Sequence, residues 1–361
     1  MNNDDAPELS IIIPTLNEAQ ALPLLLGDLA RQQEVALEIL IGDGGSTDTS
    51  RALAESFAVT WIPAPRGRAA QMNTAARHAR GEYLLFLHAD SRLDDPLLLR
   101  NALLALKQHC RQHSRTAGHF PLRFIRDNPR NNRLAYRYIE AKTRLNRTET
   151  TNGDQGLLLA TAFFHQLGGF DQSLPFLEDQ RIAERIRVQG QWITLPGVLA
   201  TSARRFATEG FHRRYLLMGI IMGMHSIGMD AFFLRAPGVY QVQHQTGRLR
   251  LSPFFRLLWD MAINDWGWQG SIQTFYRLGR YLRENAWQLF LFADLCLQPL
   301  RDPDRLPLLQ LHDRAIAPCL RFRLVDALVG LCCFCWYMGV LPLWFSLIEP
   351  QQAWDKEEGS Q

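Results

Sequence analysis

Three times before residue 91, an apolar run of strand length stops abruptly at a polar cluster, and this repetition limits the fold more than any other feature. Residues 83–87, YLLFL, run straight into His88, Ala89 and Asp90. Residues 9–14 end in Thr15, Leu16, Asn17 and Glu18, and residues 38–42, EILIG, end in Asp43, Gly44, Gly45, Ser46, Thr47 and Asp48. Short unbroken apolar runs of this kind fit strands covered on both faces. Between them, Leu22, Leu25, Leu26 and Leu29 share one face of a helix reaching about Arg31, and residues 68–80 form another helix. The paired glycines make a tight strand-to-helix turn with Ser46, Thr47 or Asp48 as N-cap. Residues 59–62 add a strand, so the order is β-α-β-α-β-α-β, which predicts a parallel, doubly wound sheet. Ligands of such sheets sit beyond the carboxyl ends of the strands, where the three polar clusters should converge. A carboxylate and an imidazole at that point suit a metal or a nucleotide. The plainer alternative for Asp90 is a turn residue that caps the next helix.

The dinucleotide fingerprint G-x-G-x-x-G is missing, because Thr47 stands where its last glycine would be after Gly42 and Gly44. No Gly-Lys-Ser or Gly-Lys-Thr forms a Walker loop. Hydride transfer and ATP hydrolysis therefore lose ground. With 39 Lys plus Arg against 36 Asp plus Glu, the net charge of +3 gives no reason to expect nucleic acid. Arginine dominates the basic side, which keeps phosphorylated ligands open. The six cysteines lack zinc-site spacing and fit a reduced, cytosol-facing protein with inert thiols. The first ten residues show no basic region followed by an apolar core, so no cleaved secretory signal is expected.

The motifs SIIIPTLNEA, the Gly-Asp-Gly-Gly-Ser-Thr-Asp turn and the acidic strand end after residue 87 together resemble a family 2 glycosyltransferase of the GT-A fold. Residues 66–93, RGRAAQMNTAARHARGEYLLFLHADSRL, are similar in particular to the rSAM/selenodomain-associated transferases, a subgroup also linked to arsenosugar biosynthesis. The resemblance covers roughly residues 9–210. It implies that Thr15, Asn17 and Glu18 line a nucleotide pocket, that Asp43 contacts the base, and that Arg68 lies near the donor. It also implies that Asp90 holds a divalent cation, Mn²⁺ or Mg²⁺, bridging the donor diphosphate. His88 stands where the family's D-x-D has its first Asp. An imidazole there suits Mn²⁺, or a direct sugar or phosphate contact, better than Mg²⁺. For Arg68 and Asn73 the alternative is an exposed helix face.

Farther along, residues 119–124 read as a strand, residues 133–145 as an amphipathic helix, and residues 151–156 as a polar loop before an apolar strand, LLLATAFF. Gly168 and Gly169 make a turn ahead of LPFLEDQRIAERIRVQG, which resembles the family's acceptor-side segment. A carboxylate opening that helix can take a proton from an attacking hydroxyl. Asp179 is assigned this role with Glu178 a close second, because adjacent acids are not separable by sequence. Both would also complement the helix dipole. Gly190 closes the helix, and residues 192–195 read as the last strand. The following TSARRF matches the subgroup too, so Arg204 and Arg205 are expected to neutralise the departing diphosphate, a surface basic pair being the alternative.

After residue 211 the resemblance fades. Residues 216–234 are rich in Met and aliphatic side chains, a stripe that fits buried core better than a cofactor site. Residues 327–348 carry no charge over 22 positions, long enough as a helix to cross a hydrocarbon core of about 30 Å. Arg314, Arg321 and Arg323 precede this run, and Glu349, Asp355, Glu357 and Glu358 follow it. The basic flank would face the cytosol and the acidic tail the other side. Pro342 and Asp326 count against a span, and a buried pair of helices is the alternative.

The expected organisation is therefore an α/β GT-A domain over residues 1–210, Rossmann-like with a mostly parallel sheet, followed by a mainly helical hydrophobic extension. That extension comprises an aromatic-rich accessory region at 211–323, a transmembrane or membrane-associated helix at 324–348 and an acidic tail at 349–361. As the resemblance implies, the activity would be metal-assisted, inverting transfer from a nucleotide-diphosphate sugar to a hydroxyl acceptor. A membrane anchor would favour a lipid-linked acceptor and put the catalytic domain on the inner face of the cell membrane. Two alternatives stand beside it. A sugar nucleotidyltransferase would carry a Gly-rich, Arg-containing loop after its first strand, where this chain has Pro14, Thr15, Leu16 and Asn17. A non-catalytic binding module has only His88 in its favour.

Overall fold

Alternation along the first strand assigns its side chains to two cores. Leu9, Ile11 and Ile13 of β1 (Leu9–Thr15) pack with α1 (Leu22–Ala30) and α4 (Leu98–Cys110) on one face of the central sheet. Ile12 joins Met72 of α3 (Arg68–Ala76), Phe164 of α6 (Thr161–Gln166) and Ile182 of α7 (Glu178–Gln189) on the other. A strand sandwiched between helices must be apolar on both sides, which is why the sequence shows unbroken runs there. The computed structural model describes residues 7–173, 175–241, 248–297 and 305–349. The chain divides into two compact units, Met1–Ala203 and Arg204–Gln361.

The first unit holds a seven-stranded sheet in the order β3-β2-β1-β4-β8-β6-β9. Its members are β1, β2 (Leu37–Asp43), β3 (Thr60–Pro63), β4 (Tyr83–Phe86), β6 (Thr116–His119), β8 (Leu157–Ala160) and β9 (Gln191–Thr194). The pairs from β3 to β4 are parallel, β8 runs antiparallel to both β4 and β6, and β6 and β9 are parallel. A second sheet, β5-β10-β7, joins Ser91–Arg92, Leu199–Ser202 and Leu122–Ile125. Two short helices complete the unit, α2 (Ser50–Ala54) and α5 (Arg133–Thr143).

Several local expectations change for identifiable reasons. The turn after β2 does not cap a helix at residues 46–48; α2 starts at Ser50 with Thr49 as N-cap. Asn17 Oδ1 already accepts the Thr47 N–H at 2.8 Å, and Asp43 Oδ1 accepts that of Ser46 at 3.0 Å, so these donors are satisfied without a helix. The strand expected over residues 119–124 splits at Phe120 and Pro121, and its second half, β7, joins the smaller sheet beside β10. Pro121 has no N–H to give a ladder. In LLLATAFF only Leu157–Ala160 is strand. Ala160 pairs with Tyr83, the first residue of β4, so the ladder ends there; Thr161 Oγ1 then donates to Gly81 O at 2.7 Å and α6 begins. Nor is β9 the last strand, since β10 follows it across Gly197, whose φ is +88°.

The second unit is helical, with Phe211–Ser226, Asp230–Gln241, Ser252–Asp260, Gly267–Glu284, Trp287–Leu297 and Pro307–Leu311 as its main earlier helices. Its apolar run lies in one helix, Arg323–Ile348, that continues through Pro342, and not in two. The division at Ala203 puts Arg204 and Arg205 in this unit, as the opening residues of its first helix, Arg204–Glu209. Of the expected acidic tail only Glu349 is among the described residues; Asp355, Glu357 and Glu358 lie outside them.

Candidate active site

Parallel register brings Thr15, at the end of β1, opposite Asp43, at the end of β2, while β4 pairs along the other side of β1. The three polar strand ends therefore share one edge of the sheet. Thr15 is fully buried, and its carbonyl accepts a hydrogen bond from Gln71 Nε2 at 2.6 Å. The same amide donates to Gly42 O at 3.0 Å, so one side chain of α3 ties both strand ends together. Gly42 permits this approach, because a Cβ there would sit 2.5 Å from the Gln71 carbonyl oxygen. Gln71 was not among the residues singled out by sequence; a polar side chain on the buried face of a helix is its only trace.

Asn17 has φ +56°, a left-handed conformation that Asn tolerates better than most residues. From there its carboxamide oxygen bridges to the N–H groups of Thr47 and Asp48, while its own N–H donates to Ser46 Oγ at 2.9 Å. The Glu18 and Ala19 N–H groups donate to Ser50 Oγ at 2.8 Å and Asp48 Oδ2 at 3.1 Å. The loops that carry Thr15, Asn17, Glu18 and Asp43 are thus laced to each other and form one rigid rim.

At the end of β4 the His88 side chain is 15% exposed, with Nδ1 2.7 Å from Asp154 Oδ1. Asp90, two residues on, is half-buried, and its carboxylate has no hydrogen bond or ion pair among the described residues. Asp154 belongs to a short 3₁₀ turn, Gly153–Gln155, positioned by Gln155, whose Oε1 accepts the Asn152 N–H at 2.8 Å.

Helix α7 delivers the acidic pair. It starts from Leu177, a buried residue with φ +74°, an uncommon conformation for a bulky side chain that is held here by surrounding packing. Glu178 is buried and accepts from Arg68 Nη1 at 3.0 Å. Asp179 Oδ2 accepts the Gly153 N–H at 2.7 Å, and its Oδ1 accepts the Gln180 N–H at 2.9 Å. Burial, aided by the neighbouring Glu178 charge, pushes the Asp179 carboxyl above its ordinary pKa, although Arg68 and the two N–H groups pull against this. Arg68 is held above its ordinary value: burial works against the charge, and Glu178, Asp179 and Asp154 outweigh it.

Gly153 is where the two halves meet. A Cβ on it would lie 3.0 Å from the His88 ring and 3.3 Å from Asp179 Oδ2. Above this junction opens a cavity of about 410 Å³, its open mouth included, lined among others by Phe86, His88, Asn152, Gly153, Glu178 and Asp179. Of the residues singled out by sequence, His88, Glu178 and Asp179 line the cavity and Arg68 is bonded to it, whereas Thr15, Asn17, Glu18 and Asp43 build the laced rim at the ends of β1 and β2. Asn73 does not present an exposed face: its amide pairs with both backbone groups of Phe170, each at 2.8 Å, and fixes the Gly168–Gly169 turn. Asp154 and Gly153 were visible only as part of a polar loop, since the sequence does not show that they meet residues 66 and 26 positions away.

Residues 10–164 match the family model described as Glycosyl transferase family 2. The chain contains a glycosyl transferase family 2 domain. Its mostly parallel central sheet, followed by helices, is the GT-A-like arrangement. The matched span of the family 2 domain takes in Arg68, His88, Asp90 and Asp154, while Glu178 and Asp179 follow it. Over 111 residues the chain is 37% identical to the PGL/p-HBAD biosynthesis glycosyltransferases of Mycobacterium bovis and Mycobacterium tuberculosis. That alignment covers 29% of this chain and 43% of the relatives, so the chain matches less than half of their length. Validoxylamine A glucosyltransferase of Streptomyces hygroscopicus is 45% identical over 53 residues, covering 14% of this chain and 13% of that protein. Among solved structures, the mannosyltransferase PcManGT of Pyrobaculum calidifontis, in complex with GDP-Man and Mn²⁺, is 20% identical with a TM-score of 0.47, over 94% of this chain and 88% of the other. Staphylococcus aureus TarS residues 1–349, in complex with UDP, is 15% identical with a TM-score of 0.45, over 88% and 90%.

Proposed function

We propose that this protein is a glycosyltransferase that moves a sugar from a nucleotide-diphosphate donor to a hydroxyl acceptor with inversion at the anomeric carbon. The observation that carries the reading is the meeting at Gly153 of the β4-end imidazole with the α7 carboxylate, beside one cavity of a family 2 domain. In a single displacement the acceptor oxygen bonds to the anomeric carbon, the bond to the diphosphate oxygen breaks, and the nucleoside diphosphate leaves with the electron pair. The hydroxyl proton goes to Asp179. Glu178 is less suited to receive it, because Arg68 already occupies that carboxylate. Two backbone N–H groups hold Asp179 in one orientation, and its raised pKa makes it a better proton acceptor once ionised.

The donor set favours a divalent cation shared with the substrate. Among the described residues no three His, Cys, Asp or Glu gather closely enough to close a metal site from the protein alone. The Asp90 carboxylate, free of protein partners among those residues, is a hard oxygen donor that fits a cation taking its other ligands from phosphate and water. Asp90 would hold the cation, with His88 beside it for the cation or the phosphate. When bound, the cation offsets charge on the departing diphosphate. Thr15, Asn17, Glu18 and Asp43 are assigned to the rim that receives the nucleotide. The similarity of residues 66–93 and of TSARRF supports placement in the rSAM/selenodomain-associated subgroup. The helix Arg323–Ile348 supports attachment to a membrane, with the family 2 domain in the cytosol and a lipid-linked hydroxyl as acceptor.

Thermal-shift measurements against a panel of nucleotide sugars, with Mn²⁺ and with Mg²⁺, test this reading. One nucleotide sugar should raise the melting temperature in a metal-dependent way and be slowly hydrolysed to nucleoside diphosphate. No shift with any donor under either metal would overturn it.

A further inference from the structure

The helix Arg323–Ile348 is about 39 Å long at 1.5 Å per residue, enough to cross a bilayer, yet its surroundings suit another placement. Asp326, Gly330, Cys333, Met338, Leu341 and Phe345 make one buried face, while Leu324, Leu328, Leu331, Leu343 and Leu347 are exposed. The buried face lies tightly against Gly267–Glu284: a Cβ on Gly279 would fall 2.1 Å from Asp326 O, and one on Gly330 would fall 2.5 Å from Phe275 O. Its second half packs on Ser252–Asp260, where Phe255 stacks on Phe345 and the Trp259 indole donates to Met338 O at 3.0 Å.

These companion helices carry exposed charges along their length. Arg277 and Arg280 flank Gly279, at the level of residues 326–330, and Arg256 adjoins Phe255, at the level of residue 345. Both ends of the apolar helix are also fastened within the unit. Asp326 is ion-paired with Arg283, and Glu349 with Arg213 and the N–H groups of Leu251 and Ser252, each at 2.9 Å. A crossing helix would carry its packed neighbours into the hydrocarbon, and exposed arginines would then lie at several depths inside it. Ionised side chains at such depths normally face a bundle interior or a water-filled cavity.

We infer that this helix lies in the plane of the membrane, its leucine face sunk into one leaflet and its charged neighbours left in water, on a surface rich in anionic lipid. The inference rests on the membrane reading above and replaces a crossing with a one-sided contact. Trp268, Trp336 and Trp344 are exposed and have the amphipathic rings that settle at the headgroup level. Arg321 and Arg323, both exposed where the helix begins, complement anionic headgroups.

The test uses the full chain with exposed Cys296, Cys319, Cys332 and Cys335 changed to Ser, and one new thiol at exposed Arg321→Cys or Ser346→Cys. Sealed membrane vesicles with their cytosolic face outward are treated with a membrane-impermeant maleimide, and the purified chain is floated with phosphatidylcholine vesicles with and without phosphatidylglycerol. Labelling of both positions from outside, with about tenfold stronger flotation on the anionic vesicles, is the expected result. Labelling of Arg321→Cys alone, with Ser346→Cys reached only after lysis, would overturn the in-plane placement and leave the membrane reading standing. A chain that neither sediments with membranes nor floats would overturn both, and a dimer in ultracentrifugation would then assign the leucine face to a second copy.

Discussion

His88 Nδ1 and Asp154 Oδ1 lie 2.7 Å apart, joining the end of β4 to the turn that also holds Asp179 through the Gly153 N–H. With Nδ1 engaged by the carboxylate, Nε2 is the ring nitrogen left for a ligand, and a Cβ on Gly153 would meet that part of the ring. We expect Asp154→Ala to weaken donor binding or turnover by about 10- to 100-fold, the range found when a carboxylate that orients a functional His is removed. Asp154→Asn, which keeps an acceptor for Nδ1–H, should lie closer to wild type. Titration calorimetry with the donor, run beside kinetics, checks this; equal losses in the two variants would mean that charge, not orientation, is what Asp154 supplies.

The adjacent acids of α7 should separate cleanly. Asp179→Asn keeps the size and the N–H contact to Gly153 but cannot take a proton, so it should bind donor and fail to transfer, with a loss of roughly 10²–10⁴-fold in kcat. Glu178→Gln leaves the Arg68 charge without its partner and should weaken donor binding or stability while retaining transfer. Because the Asp179 carboxyl sits above its ordinary pKa and must be ionised to act, kcat/KM should fall as pH drops through that raised value. The acid limb of the profile should then lie above the ordinary carboxylate range. A limb at the ordinary Asp pKa would assign the proton transfer elsewhere.

Away from the site, His119 gives the fold a pH dependence. It is fully buried, accepts the Trp192 indole N–H and has Nε2 3.3 Å from Thr143 O; burial lowers its pKa from 6.5 to about 4. Between these values the unfolded chain binds the proton and the folded chain does not, so stability rises with pH across the window and is complete above about 6.5. Acidification from pH 7 to 4 should cost up to about 3 kcal/mol from this residue. Melting temperatures of wild type and His119→Gln over that range should converge as the pH falls; parallel curves would show that other groups set the acid limit.

Gly42→Ala tests the seam between β2 and α3. The added methyl would sit 2.5 Å from the Gln71 carbonyl oxygen, which is backbone and has no rotamer to yield. A loss of about 1–3 kcal/mol, together with weaker donor binding as the rim shifts, is expected from denaturant unfolding and calorimetry.

The succession of the first four strands along the chain, and the polar end of each of β1, β2 and β4, were legible because both are written locally. An apolar run such as residues 83–87 reads as a doubly covered strand whatever follows, and the chemistry of His88 and Asp90 follows at once. What could not be read was pairing over distance. Nothing near Asp154 marks it as the partner of His88, and nothing near Gln71 announces that it bonds two strand ends. Asn17, expected in a nucleotide pocket, spends its carboxamide oxygen on the neighbouring loop, a role set by its left-handed backbone and invisible in the motif. The helix that replaces TAFF and the late strand β10 share one cause, since each depends on where a partner strand stops or starts. The packing of Gly267–Glu284 and Ser252–Asp260 along one face of Arg323–Ile348 is pairing of the same kind, and the apolar composition of residues 327–348 does not record it.

The most direct measurement compares nucleotide-sugar turnover by wild type and Asp90→Ala in Mn²⁺, with the melting temperature of each recorded under the same conditions. We expect the wild type to release nucleoside diphosphate, and Asp90→Ala to release none above background while melting within a degree or two of it, because the replaced carboxylate has no partner among the described residues. Turnover by Asp90→Ala at the wild-type rate would contradict the assignment of that carboxylate, and with it the metal-assisted transferase built around the end of β4.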